Sequence, residues 1–294
     1  MTAAPDTVGT PRPVVHLDGT PGLGAAFARA LVPSRAKRAH LPEHALTIHG
    51  LAQDRSRLAA YSRVCGFTLR DAVPPTWIHV LTFPLHVHLL GDADSTIRLA
   101  GAVHTSNRMT LRRPVLAHEE LDFTVHAEGL RPHRRGALVD LVGRAEVDGE
   151  TVWSGVSTYL AQGMKTPGEP EQVERPAWEP VTPQARWRLA GDLGRRYRAV
   201  SGDPNPIHTN KIAAKAFGFP RPIIHGMWTH ARALAALEGR LAETYTASVD
   251  FVKPILLPGT IGFHAAALEG ATTADVTNRD GTKPHLRMRV DEAS

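Results

Sequence analysis

The chain repeats its own phrases once, in the same order, and that duplication limits the folds open to it more than any other feature. Tyr61-Ser-Arg-Val-Cys-Gly66 parallels Tyr197-Arg-Ala-Val-Ser-Gly202, and Pro75-Thr-Trp-Ile-His79 parallels Pro222-Ile-Ile-His225. Arg113-Pro-Val-Leu-Ala-His-Glu-Glu-Leu-Asp-Phe123 parallels Lys253-Pro-Ile-Leu-Leu-Pro-Gly-Thr-Ile-Gly-Phe263. Turn signals match too, with Asp148-Gly149 in the first copy and Asp280-Gly281 in the second. Four matches in register predict a duplicated unit. The length agrees, since 294 residues is room for two domains at about 150 residues each.

The boundary between the copies is marked by composition. Residues 165–185 carry Pro167, Pro170, Pro176, Pro180 and Pro183, which bar a helix or a central strand and read as an extended linker. The expected layout is a tail over 1–20, a first unit over 21–164, that linker, and a second unit over 186–294. Hydrophobic residues make up 42% of the chain, enough for a sizeable core and too many for a disordered polymer. A single cysteine, Cys65, excludes an internal disulfide and any multi-thiolate metal site. A net charge of +5 suits an anionic ligand and falls short of a nucleic-acid-binding tail. Residues 72–91 lack Asp, Glu, Lys and Arg, yet Pro74, Pro75, Pro84 and three histidines interrupt them. They read as a buried element, not a membrane span, and the protein is expected to be soluble and cytoplasmic.

Each copy shows a short strand, a helix and then several strands. Met227, Ala231, Leu234, Leu237 and Leu241 recur at helical spacing and predict a helix over 226–241. Asn210 caps a shorter helix that ends before Gly218. Strands are expected over 244–252, 260–268, 274–278 and 286–290. In the first copy a central helix is expected near 77–90, with strands near 121–125, 138–147 and 151–160. A sheet following a central helix is an α+β arrangement in which the sheet wraps the helix.

One stretch carries chemistry. Asp203, Asn205 and His208 lie on a loop stiffened by Pro204 and Pro206, between two helices. A carboxylate and an imidazole five residues apart on such a loop can converge on one water and share acid and base work. Asn205 can orient either group through its amide, and the N–H of Gly226 at the start of the apolar helix can stabilise an oxyanion. The same residues also suit ordinary turn chemistry, with Ser201 or Asp203 as a helix cap. A metal is disfavoured because no third strong ligand stands nearby. His16, His40 and His104 read as surface or core residues without a role.

The run Ser-Gly-Asp203-Pro-Asn205-Pro-Ile-His208, followed by Pro-Ile-Ile-His225-Gly226-Met227, resembles the MaoC-like family of (R)-specific enoyl-thioester hydratases and 3-hydroxyacyl-thioester dehydratases, in particular its mycobacterial-type two-unit members. The resemblance covers roughly residues 22–290 and is strongest over 197–229. It implies a double hot-dog fold, two antiparallel sheets each wrapped round one helix and fused as a pseudo-dimer. It implies that Asp203 and His208 hold and activate water, that Asn205 orients them, and that the Gly226 amide polarises the thioester carbonyl. No cofactor is implied. The implied substrate is an acyl-CoA or an acyl group on a carrier protein. Arg198, Lys211, Arg221, His225 and Lys253 are the substrate-binding candidates, and a homodimer is left open. The first copy departs from the motif: Phe67 follows Gly66 where Asp203 follows Gly202, Val80 stands in the place of Gly226, and the loop is shorter. It is expected to be catalytically dead. Its apolar Leu81, Phe83, Leu85, Val87, Leu89 and Leu90 suit a core helix or a wall for a long acyl chain. A hot-dog thioesterase and a non-catalytic acyl-thioester-binding subunit are the alternatives.

Overall fold

Strand order preserves the duplication. The computed structural model describes residues 12–23, 36–97, 102–171 and 177–292; part of the expected tail and of the linker lies outside them. The first half runs β1 (Val14–His16), β2 (Ala45–Leu51), α1 (Arg55–Cys65), α2 (Pro75–Leu90), β3 (Ala102–Leu111), β4 (Leu121–His133), β5 (Gly136–Val147) and β6 (Glu150–Gln162). The second runs β7 (Ala185–Leu189), α3 (Leu193–Ser201), a 3-10 turn (Pro206–His208), α4 (Lys211–Ala216), α5 (Gly226–Ala236), β8 (Tyr245–Phe251), β9 (Gly259–Leu268), β10 (Ala271–Asn278) and β11 (Pro284–Glu292). All eleven strands join one sheet in the order β1-β2-β4-β5-β6-β3-β8-β11-β10-β9-β7. From one end the first unit reads 2-4-5-6-3, and from the other end the second reads 7-9-10-11-8. These are the same order.

The two sheets meet edge to edge, where β3 pairs antiparallel with β8 from Ser106–Asp250 to Leu111–Tyr245. Pairing each unit's last edge with the other removes two exposed strand edges at once. Thr110 and Thr246 seal the seam with a hydroxyl–hydroxyl contact of 2.9 Å. The architecture is a double hot-dog. α2 packs on β3, β4, β5 and β6, α5 on β10 and β11, and the two helices touch each other.

α2 is apolar on every side, which is why it is buried on every side except at Phe83 and His88. Leu81, Leu85, Leu89 and Leu90 pack in the shared core. Most of the apolar load of this segment therefore serves packing. No described helix is long and apolar enough to cross a membrane. β5 and β6 meet through Asp148 and Gly149, both at positive φ, as a two-residue hairpin requires. Asp280-Gly281 sits in a longer turn, with only Gly281 at positive φ and Asn278 Oδ1 accepting from the Lys283 N–H.

Two expectations need correction. The second helix ends at Ala236, not Leu241, because a turn through Gly239 at φ 82° breaks it. The pairing of the central helices also shifts. Pro74 and His225 are the N-caps of α2 and α5, with nearly identical backbone angles (−63°, 138° and −61°, 137°). The bridges Ala72–Leu116 and Ile223–Leu256 agree with this register. Trp77 therefore matches Trp228, His79 matches His230, and it is Pro75, not Val80, that stands where the second unit has Gly226.

Candidate active site

The loop after α3 is held from both sides. α3 ends on Gly202 in the left-handed conformation (φ 78°), as α1 ends on Gly66 (φ 83°). The next residue is Asp203 in one unit and buried Phe67 in the other. Across the unit boundary, Arg57 donates to the Val200 carbonyl at 2.8 Å and Trp228 to the Val64 carbonyl at 3.0 Å. At the start of α3, a Cβ on Gly194 would collide with the His208 carbonyl oxygen. Helix and loop thus meet backbone to backbone.

Within the loop, Asp203 Oδ1 accepts the Asn205 N–H at 2.9 Å. This leaves Oδ2 facing two imidazoles, 4.0 Å from His208 Nε2 and 3.7 Å from His225 Nε2. Asn205 therefore orients the carboxylate through its backbone. Its side-chain oxygen instead accepts from the Ile207 N–H and caps the 3-10 turn. His208 Nδ1 donates to the Ile223 carbonyl at 2.8 Å, so the neutral ring keeps its lone pair on Nε2. Burial holds this imidazole below its ordinary pKa, partly opposed by the Asp203 charge and the Ile223 carbonyl. Two acceptors 4.0 Å apart can both be reached by one water, which donates a proton to each at about 2.8 Å.

His225 is the residue that spacing alone did not place. Its ring stacks on His208 with centroids 3.6 Å apart, and both its nitrogens are buried without a hydrogen-bond partner among the described residues. Burial, the neighbouring His208 and Arg198 together push its pKa well below the ordinary range. Asp203, His208 and His225 each offer a ligand atom within 4.8 Å of the others. The third donor that the sequence did not show is thus supplied from the N-cap of α5, and this group could hold a divalent cation.

Gly226 opens α5, so its N–H has no partner within the helix and lies at the positive end of the helix dipole. A Cβ there would meet the Phe251 ring at 3.0 Å. Gly226→Ala should therefore tilt either the ring or the helix start and lower kcat/KM by up to about 10²-fold. The double variant with Phe251→Leu should recover much of that loss in the same steady-state assay. No recovery would mean that the ring contact is irrelevant to the N–H.

These groups line a cavity of about 1350 Å³ between the units, together with Tyr159, Phe251 and Lys253. Of the cationic candidates, only Lys253 reaches it. Arg198, Lys211 and Arg221 are exposed and do not line it. Arg134 and Arg135, in the turn between β4 and β5, do line it. They come from the first unit, far away in sequence. His104, read from the sequence as a surface or core residue, also lines the cavity.

Comparison with known proteins follows this geometry. Residues 167–286 match the model of the MaoC like domain. The chain is 40% identical over 267 residues to 3-hydroxyacyl-thioester dehydratase X of Mycobacterium tuberculosis, covering 90% of this chain and 94% of that protein. The crystal structure of HtdX from Mycobacterium tuberculosis superposes with a TM-score of 0.76 at 39% identity, over 85% of this chain and 100% of that one. A further Mycobacterium tuberculosis structure, described as having a double hotdog fold, shares the fold at 13% identity and a TM-score of 0.51, over 83% of this chain and 93% of that one. The chain belongs to the MaoC-like dehydratase family.

Proposed function

We propose that this chain is a hydro-lyase interconverting (3R)-3-hydroxyacyl and trans-2-enoyl thioesters, carried by coenzyme A or an acyl carrier protein, at one site in its second unit. The observation that carries this reading is the pair of acceptors Asp203 Oδ2 and His208 Nε2, 4.0 Å apart in the cavity that Gly226 also lines. In the hydrating direction the pair holds one water against C3. The water oxygen bonds to C3, one of its protons passes to the pair, and the pair delivers a proton to C2. The Gly226 N–H, aided by the helix dipole, takes up the charge that grows on the thioester oxygen in between. Dehydration reverses each step. The thioester itself is the electron sink, so the chemistry calls for no cofactor. We place this activity in the cytoplasm, where the lone buried Cys65 stays reduced.

The first unit lacks both halves of this chemistry. Phe67 replaces the carboxylate, and Pro75 at the helix start has no N–H to offer. One ligand should therefore bind per chain. Calorimetric titration with a non-reacting acyl-CoA is expected to give a stoichiometry of one, and a value of two would contradict the single site.

Arg134, Arg135 and Lys253 at the cavity wall are the groups we assign to the carrier's phosphates. Arg135→Glu should raise KM for an acyl-CoA with little change in kcat, the mark of uniform binding. The activity is tested with crotonyl-CoA, following loss of enone absorbance alongside release of free thiol. Hydration without thiol supports the hydro-lyase. Thiol release indicates a thioesterase, and neither change a binding subunit.

A further inference from the structure

The first unit gives the cavity a polar wall. α2 contributes His79, Val80 and Phe83, β3 contributes His104, and β6 contributes Tyr159. Tyr159 stacks on His104 with centroids 4.4 Å apart and planes 11° from parallel. His104 Nε2 is buried without a hydrogen-bond partner among the described residues, while Tyr159 and His79 line the cavity itself. His104 in turn lies 4.8 Å from Phe251, the ring that packs over Gly226, and 6.4 Å from His79. Contact by contact, this group runs from the residue assigned to the thioester carbonyl into the first unit, where the acyl chain has room to go.

An alkyl chain asks for nothing but apolar walls, and buried polar groups without partners oppose folding. Tyr159 and His79 at the cavity wall, backed by the unpartnered His104, fit a ligand that brings a hydrogen-bonding group of its own. Charge narrows the choice. Burial keeps His79 well below the ordinary imidazole range and lowers His104 to about 3, while the Tyr159 phenol is raised by burial and then by the Asp203 charge. All three are neutral at physiological pH and match neither a carboxylate nor an ammonium group. They are not a metal site either, since Asp203, His208 and His225 form the only converging group of three among the described residues.

We propose that Tyr159 and His79, with His104 stacked behind Tyr159, form a subsite for a neutral oxygen substituent, a hydroxyl or keto group, on the acyl chain beyond the reacting carbons. The proposal rests on the hydro-lyase reading above. It makes the unit without catalytic groups the one that selects the substrate.

The test compares kcat/KM for trans-2-decenoyl-CoA with its derivatives bearing a hydroxyl or a keto group at carbons 5 to 9, in wild type, Tyr159→Phe and His79→Leu. In wild type, at least one oxygenated substrate should exceed the plain chain by about tenfold, the scale of one satisfied hydrogen bond. In Tyr159→Phe the ratio should fall towards one, through loss on the oxygenated substrate. The hydroxyl and keto arms tell donor from acceptor recognition. Preference for the plain chain at every position would overturn the proposal, as would an unchanged ratio in both variants. Failure to hydrate any enoyl-CoA, crotonyl-CoA included, would instead overturn the hydro-lyase reading on which it rests.

Discussion

Asp203→Asn should lower kcat by about 10²–10⁴-fold with KM nearly unchanged, because it keeps the size and hydrogen bonding of the carboxylate and removes its basicity. His208→Ala should lose a comparable factor. On the proposed mechanism the two side chains, 4.0 Å apart, share one water, so their losses should not add. The double variant is expected to be little worse than the poorer single one. Asp203 is partly exposed in a loop and carries little core packing, so the melting temperature of Asp203→Asn should stay within a few degrees of wild type. Steady-state kinetics on all three variants checks the set. Near-wild-type turnover by Asp203→Asn would reduce the motif to turn chemistry.

The second large effect concerns acid. Burial lowers His86 to about 4, His104 and His230 to about 3, and His79 well below the ordinary imidazole value of 6.5. In the unfolded chain these groups take up protons as pH falls through about 6.5, while in the folded chain they resist. The folded state therefore keeps their full contribution above pH 6.5 and loses it progressively down to pH 4 and below. Each group can remove up to about 1.4 kcal/mol per pH unit over that window. Acting together, four such groups can exhaust an ordinary stability of about 5–15 kcal/mol before pH 4. Melting temperatures at pH 7.5, 6.5, 5.5 and 4.5 should fall steeply over the last two steps. His230→Leu, which removes a ring with two unpartnered nitrogens, should flatten that fall. A melting temperature that holds constant to pH 4.5 would contradict this account.

Much of the architecture was legible because a duplication repeats local signals. Proline-bearing phrases and Asp-Gly turns each appear twice, and with the apolar spacing of the second copy they place the central helices and most strands. The active loop was legible for another reason: Asp203, Asn205 and His208 are close in sequence, and the prolines between them leave the backbone few options. What escaped was set by contacts that local spacing does not record. The match of Pro75–His79 to Pro222–His225 followed a shared Pro and His, while the equivalence in space follows Trp77 and Trp228. β3 raised no strand expectation because its residues are largely polar; pairing on both sides, with β6 and β8, places Asn107 in the core. His225, a binding candidate from the sequence, lines the cavity and also stacks on the His208 imidazole, a contact that spacing does not record. Arg134 and Arg135 reach the cavity only because β3 and β8 join the two sheets. Tyr159 and His104 could not be singled out, since nothing near them in sequence marks them as part of the other unit's site.

The central claim is that water adds across a carbon–carbon double bond, at C3, under the control of Asp203. It is tested most directly by incubating 3-hydroxybutyryl-CoA with the protein in ¹⁸O-labelled water and locating the label by mass spectrometry. Reversible dehydration predicts label in the C3 hydroxyl of intact thioester, with this exchange slowed by about 10²–10⁴-fold in Asp203→Asn. Label confined to the carboxylate of free 3-hydroxybutyrate, or intact thioester that never acquires label, would contradict it.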